Sequence, residues 1–278
     1  MTSAGAQGQP AETIAVLGGG RMGEALLSGM LRAGRRPASV LVSERHQARA
    51  EELVERYGVS AVPAAEAAKT ADTLVIAVKP QDMSTLLAEL ADAVPADRLV
   101  ISIAAGIPTA AIERRLAPGV PVVRVMSNTP VFVDEAMSAI SAGTHATEEH
   151  LAHTEAILRP VGKVLRVPES QQDAVTALSG SGPAYFFFLV EAMIDAGILL
   201  GLPRATAAEL IVQTAIGSAV MLRDSGEHPV QLREAVTSPG GTTISAIREL
   251  ERHGVRSAIL EALEAAWYRS RELARDQS

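Results

Sequence analysis

Gly18-Gly19-Gly20-Arg21-Met22-Gly23 forms a G-x-G-x-x-G directly after the apolar run Ile14–Leu17 and opens a helix-period segment, Met22–Ala33. In that setting Gly18 allows a tight turn, Gly20 lets a pyrophosphate approach the backbone, and Gly23 lets helix and strand pack closely. The phosphate charge would rest on free N–H groups at the helix N-terminus. These residues point to dinucleotide binding rather than to a glycine-rich turn without a ligand. At the end of the next apolar run stand Ser43, Glu44 and Arg45. An acidic residue about 20 positions past the turn accepts hydrogen bonds from the adenosine ribose and disfavours a 2′-phosphate. Arg45 would do the reverse and pair with that phosphate. The choice between NADH and NADPH stays open on these residues.

Three further turns fall where strands should run out: Ala77-Val78-Lys79-Pro80, Ile103-Ala104-Ala105-Gly106 and Met126-Ser127-Asn128-Thr129-Pro130. Ligands of open α/β sheets bind along that edge. The small residues leave room for a nicotinamide, and the Asn128 amide would either bond it or order the loop. Two more Gly-rich segments, Ser179-Gly180-Ser181-Gly182-Pro183 and Ser238-Pro239-Gly240-Gly241-Thr242-Thr243, precede helices. Each would expose N–H groups and hydroxyls to a small carboxylate, or else serve as an ordinary cap with Thr242 or Thr243 at the N-cap. Other clusters read as bland. His145, His150 and His153 with Glu148 and Glu149 miss the H-x-x-E-H zinc spacing and fit a solvated helix start. No G-x-S-x-G hydrolase elbow occurs. Arg35-Arg36 and Arg114-Arg115 read as surface charge, and Glu191 as either a buried functional group or part of a polar helix face.

The elements that would carry these residues alternate. Ile14–Leu17, Val40–Val42, Leu74–Val78, Leu99–Ile103 and Val122–Met126 are strand-like, and in Met22–Ala33 the residues Met22, Leu26, Leu27, Met30 and Leu31 share one face. Gly34 and Gly58 stand where helices should end. The pattern predicts an α/β domain with a parallel, doubly wound sheet. Past Pro168 the periods become helical: Leu178–Gly201, Pro203–Asp224, Thr243–Arg252 and Val255–Asp276, with an aromatic centre at Tyr185–Phe188. The expected organisation is a loose tail over 1–11, a dinucleotide-binding domain over 12–167, and an all-α domain over 168–278 that meets a partner subunit.

The 278 residues, 47% of them hydrophobic, suffice for one large or two ordinary domains. A net charge of −7 argues against nucleic acid as a partner. The absence of Cys excludes disulfides, thiolate metal sites and cysteine nucleophiles, and no metal is expected. The apolar stretches around Tyr185–Val190 and Ile198–Leu200 read as too short to span a bilayer. Met1–Ala11 lacks the pattern of a secretory signal, so a cytoplasmic location is expected.

Together these motifs resemble the pyrroline-5-carboxylate reductase family. The similarity runs from about Ile14 to Leu273 and rests on Gly18–Gly23, Ala77–Pro80, Asn128-Thr129-Pro130, the run from Asp173 to Tyr185, and Ser238–Thr243. The first of these is generic to dinucleotide enzymes, and the last two are far more specific. The resemblance implies a Rossmann-type sheet followed by an all-α dimerisation domain, and reduction of (S)-1-pyrroline-5-carboxylate to L-proline by NADPH or NADH. It implies cofactor contacts at Leu17, Gly18, Gly19, Gly20, Arg21, Met22 and Gly23, at Glu44 and Arg45, at Ala77, Val78, Lys79 and Pro80, and at Ile103, Ala104, Ala105 and Asn128. Substrate contacts are implied at Glu169, Thr242 and Thr243, with Gly240 and Gly241 shaping the loop. Thr243 is the expected partner of the ring nitrogen or carboxylate. A homodimer of intertwined helical domains, building decamers, is implied too. Ser127 departs from the family's pattern, which has Pro there.

The chemistry fits the residues available. A protonated cyclic imine is already an electrophile, so hydride transfer needs positioning more than a strong acid. Related reductases of β-hydroxyacids use a Lys of the second domain as acid or base. This chain has no Lys after Lys163. A non-catalytic dinucleotide sensor and a reductase of a larger cyclic imine are the rival readings.

Overall fold

Among the described residues, eight short strands arise where β-branched and small residues run together: β1 (Ile14–Leu17), β2 (Val40–Ser43), β3 (Ser60–Ala61), β4 (Thr73–Ile76), β5 (Leu99–Ser102), β6 (Val122–Met126), β7 (Ala136–Ala142) and β8 (Gly162–Arg166). In the computed structural model, which describes residues 12–275, they form one sheet of order β3-β2-β1-β4-β5-β6-β7-β8. The first six are parallel, with Ile14 opposite Val40 on one side and Thr73 on the other. β7 runs antiparallel to β6, and β8 parallel to β7. The order reverses between β1 and β4, which opens a crevice at the carboxyl edge.

The helices of this part are α1 (Arg21–Arg32), α2 (Gln47–Tyr57), α3 (Ala64–Thr70), α4 (Met83–Leu90), α5 (Thr109–Glu113), α6 (Glu148–Leu158) and the single turn α7 (Gln172–Val175). They bury the two sheet faces separately. Val16, Val42, Val75 and Ile101 pack with Leu26 and Leu27 of α1, Leu53 of α2 and Ile157 of α6. Leu17, Leu74, Ile76 and Val100 pack with Ala67, Leu87 and Ile112 of α3, α4 and α5. Helix α2 stops at Gly58, whose φ of 68° is the left-handed cap only glycine adopts cheaply. Gly34 follows the end of α1 as expected.

Strands β3, β7 and β8 are additions to the sequence reading. β7, Ala-Met-Ser-Ala-Ile-Ser-Ala, has no β-branched run and becomes a strand by pairing with β6 and β8.

The second set of helices is α8 (Gly182–Leu199), α9 (Arg204–Asp224), α10 (Pro229–Ala235), α11 (Thr242–Arg252) and α12 (Val255–Arg275). Four follow the periods read from sequence, and α10 is additional. Gly197 lets α8 approach α9, since a Cβ there would lie 2.8 Å from that of Ala207.

Two expectations about these helices need correction. The aromatics are no buried centre in the single chain: Phe186, Phe187 and Phe188 are each about 70% exposed there. Nor are the apolar stretches too short for a bilayer. The segments Glu169–Leu199 and Arg204–Asp224 carry 18-residue windows of mean hydropathy 1.4 and 1.5, enough by length and composition. The compact units of the chain divide after Gly180, whereas the expected domain boundary falls after Val167. One compact unit runs to Gly180 and resumes at Trp267, and the other is Ser181–Ala266. Segment 168–180 stays with the sheet because fully buried Gln172 donates to Ala139 O at 3.2 Å and to Ser141 Oγ at 2.7 Å. The end of α12 joins it, with Ser270 Oγ donating to Asp173 Oδ1 at 2.7 Å. The tail expected over 1–11 lies outside the described residues.

The histidine cluster is a helix start. Thr147 caps α6, with His150 completing the capping box. His153 instead lies 2.6 Å from Glu12 Oε1, which also accepts from Thr73 Oγ1 at 2.9 Å. Arg35 is not surface charge, for it donates to both Glu12 Oε2 and Glu12 O. Burial pushes the Glu12 carboxyl up, but His153, Thr73 and Arg35 outweigh it and hold the pKa at about 2, against 4.5 unperturbed. A depressed carboxyl stabilises the fold above its unfolded value and loses that contribution as pH falls toward the folded one. Glu12→Gln is therefore expected to flatten the loss of stability between pH 4.5 and about 2, a limb worth roughly 3 kcal/mol, as read from urea melts across pH.

Candidate active site

The glycine turn is built by close backbone packing. Gly18 N–H donates to Ser43 O at 2.8 Å and Ala77 N–H to Leu17 O at 2.7 Å, which joins the ends of β2, β1 and β4. Gly18 takes φ 108°, and a Cβ on it would lie 2.8 Å from the Ala77 carbonyl. On Gly23 the same carbon would meet Gly18 O at 2.1 Å. Behind the turn, Arg49 Nε donates to Gly19 O at 2.9 Å, and its guanidinium also pairs with Glu24 and Glu52. Arg21 lies over the Phe132 ring at 4.7 Å. Gly20 is the N-cap of α1 and offers no side chain. Among the described residues, the N–H groups of Gly20, Arg21 and Met22 have no partner. This cradle of glycines and free donors fits a pyrophosphate.

In front of it lies a cavity of about 410 Å³ lined by Leu17, Gly18, Gly20, Glu44, Arg45, Ala77, Val78 and Lys79, with Ser43, His46, Gln81, Asp82 and Glu89 among the others. Thus eight of the expected cofactor residues meet in one hollow. Gly19, Arg21, Met22, Gly23 and Pro80 flank it in the chain. Ile103, Ala104 and Ala105 follow β5 on the same edge, with Ile103 N–H donating to Ile76 O at 3.0 Å. Asp82, which pairs with Arg45 at 3.3 Å, and Arg49 had no motif to mark them. A hollow of about 520 Å³ lies at the opposite edge, but Arg35 and His153 there are spent on Glu12.

Two expected contacts are committed to the fold. Asn128 Oδ1 accepts from Met137 N–H at 2.9 Å, and its amide donates to Ser179 O at 3.2 Å. It orders its loop and holds the Ser179–Gly180 turn, where a Cβ on Gly180 would lie 2.2 Å from Met126 Cε. Ser127 is tied down by its own hydroxyl, which meets Ser138 Oγ at 3.0 Å. The Glu169 carboxylate is likewise engaged within the fold. Its oxygens accept from Thr109 N–H at 2.8 Å, Thr109 Oγ1 at 2.7 Å and buried Arg124 at 3.3 Å. A charged carboxylate so engaged would repel a second one.

The turn before α11 is described within its own unit. Gly240 has φ 66°, and Gly241 N–H donates to Ser238 O at 3.1 Å. The N-cap is Gly241, without a side-chain bond, so neither Thr242 nor Thr243 caps the helix. Among the described residues their hydroxyls and first-turn N–H groups have no partner. Glu191 is exposed on α8. No group of three or more potential metal ligands occurs among the described residues.

A doubly wound sheet with a glycine cradle over its switch point defines a dinucleotide-binding protein of the oxidoreductase type. Residues 13–106 match the family described as NADP oxidoreductase coenzyme F420-dependent, and residues 169–273 that described as pyrroline-5-carboxylate reductase dimerisation. The pyrroline-5-carboxylate reductase of Corynebacterium melassecola is 46% identical over 94% of this chain and 98% of its own. The solved pyrroline-5-carboxylate reductase of Coxiella burnetii is 37% identical with a TM-score of 0.90, covering 95% of this chain and 99% of that one. The Plasmodium falciparum pyrroline carboxylate reductase with NADP bound is 27% identical, with a TM-score of 0.85 over 96% of this chain and all of that one. The chain belongs to the pyrroline-5-carboxylate reductase family, and its helical part carries that family's region for homo-oligomerisation.

Proposed function

We propose that this protein reduces (S)-1-pyrroline-5-carboxylate to L-proline with NAD(P)H. The observation that carries it is the open N-terminus of α1 above the carboxyl-edge cavity, in a chain of this family. Bound there, the reduced nicotinamide supplies a hydride. Gly20, Arg21 and Met22 hold the pyrophosphate through their N–H groups, Glu44 and Arg45 meet the adenosine ribose, and Ala77–Pro80 and Ile103–Ala105 bound the nicotinamide end. Residues 12–167 serve as the dinucleotide domain and 168–278 as the dimerisation and substrate domain, with 168–180 as its anchor on the sheet.

The Gly240–Thr243 turn seats the substrate carboxylate on N–H groups and hydroxyls, and Thr243 bonds the ring nitrogen or carboxylate, with water as the proton source. No strong acid is required, because the protonated imine is already electrophilic. The exposed faces of α8 and α9 meet a second copy in a homodimer, and dimers build a decamer. Apolar helices left this bare call for such cover, which explains their membrane-like hydropathy without a membrane. The enzyme works in the cytoplasm, where its cofactors are found.

Oxidation of NADPH and NADH is measured with pyrroline-5-carboxylate as substrate, and proline is the expected product. No turnover with either, despite cofactor binding, would return the sensor or larger-ring reading. Thr243→Ala should lower kcat/KM by about 100-fold, and full retention would remove the role given to Thr243.

A further inference from the structure

Glu44 is a fixed carboxylate. Its Oε2 accepts from Gly19 N–H at 2.8 Å and its Oε1 from His46 N–H at 3.0 Å. Swinging it aside would strip partners from both N–H groups. Gly19 is itself confined, since a Cβ there would lie 2.6 Å from the Leu53 side chain and 3.2 Å from Glu44 Oε2. The neighbouring cation cannot compensate freely: Arg45, half exposed, pairs with Asp82 across the cavity mouth at 3.3 Å. Arg49 is spent on Gly19 O, Glu24 and Glu52. Of the other charged groups, Lys79 and Glu89 also line the hollow.

We propose that Glu44 makes this enzyme select NADH against NADPH. The proposal rests on the dinucleotide reading of the cavity. The end of β2 is where the adenosine ribose falls in this fold, and a carboxylate there accepts from the 2′- and 3′-hydroxyls. A 2′-phosphate brings about −1.5 to −2 charges at pH 7 against an immobile negative group. It also removes a hydroxyl donor that the carboxylate would accept. Discrimination by at least about 10-fold in Kd follows from like charge at such range.

Calorimetric titration with ADP-ribose and 2′-phospho-ADP-ribose tests this without turnover. The wild type is expected to bind ADP-ribose at least about 10-fold more tightly, and the near-isosteric Glu44→Gln to bring the ratio to about threefold or less. Arg45→Ala should move the ratio by less than about threefold, since an exposed pair contributes little. Equal or tighter binding of the phosphorylated fragment by the wild type overturns the proposal. So does a ratio unmoved in Glu44→Gln, or one that widens tenfold in Arg45→Ala. Binding of neither fragment defeats the dinucleotide site itself, and the proposal with it. Selective binding of ADP-ribose by a protein that fails to reduce pyrroline-5-carboxylate supports the proposal while removing the assigned reaction.

Discussion

Gly23→Ala is expected to lose both stability and cofactor affinity, whereas Gly20→Ala should lose affinity alone. At Gly23 the new methyl would lie 2.1 Å from Gly18 O and 3.2 Å from the Ala77 Cβ. Both neighbours are held by the bonds that join β1, β2 and β4, so α1 must back away from the sheet. Overpacking of this kind costs about 1–3 kcal/mol. The N–H groups at the start of α1 move with it, and losing roughly two charge-assisted hydrogen bonds weakens binding about 100-fold. At Gly20 nothing lies within 4 Å of the added carbon, and φ is −67°. Its Tm should therefore hold within about 2 °C, while the methyl obstructs the pyrophosphate. Thermal melts and NADH fluorescence titrations of both variants separate the two effects. Unchanged affinity in Gly20→Ala would mean that the backbone does not closely approach a phosphate here.

Glu169→Ala should be among the most destabilising substitutions away from the core. Arg124, only 5% exposed, would keep its charge and lose its carboxylate, and Thr109 would lose the acceptor of both its N–H and its hydroxyl. Breaking such a pair leaves a buried charge uncompensated. Because the carboxylate itself is 29% exposed, the expected cost is about 2–3 kcal/mol, or a fall in Tm of roughly 4–12 °C. Glu169→Gln keeps an acceptor and should lose less. A Glu169→Ala protein with unchanged Tm would show that water replaces the carboxylate without penalty.

The glycine cradle and the central strands were legible because their signals are local. Gly18, Gly20 and Gly23 sit within six residues, and β1 is a continuous apolar run and β6 a Val-rich one broken only by Arg124, both with ends that match the structure. Ordering of its loop was one of the two roles open to Asn128, but the partners of Asn128 and Glu169 were not legible, since Ser179 and Thr109 lie 51 and 60 residues away in the chain. For the same reason β7 escaped notice: Ala and Ser carry little strand preference, and only β6 and β8 make them a strand. The exposure of Phe186–Phe188 shows the converse limit. Periodicity tells which residues avoid water but not which chain will cover them.

The return of Trp267 and the residues after it to the first unit makes the helical unit an insertion within the other, with consequences for vectorial synthesis. A nascent chain that has emerged as far as Ala266 already contains every strand of the sheet, yet Asp173 still awaits the hydroxyl of Ser270. The sheet unit closes only when the last helix arrives. A graft that exchanged the helices for those of a relative would accordingly need two junctions, one at Gly180 and one at Trp267, and a single splice at Val167 would carry off Gln172 and the bonds it makes beneath β7.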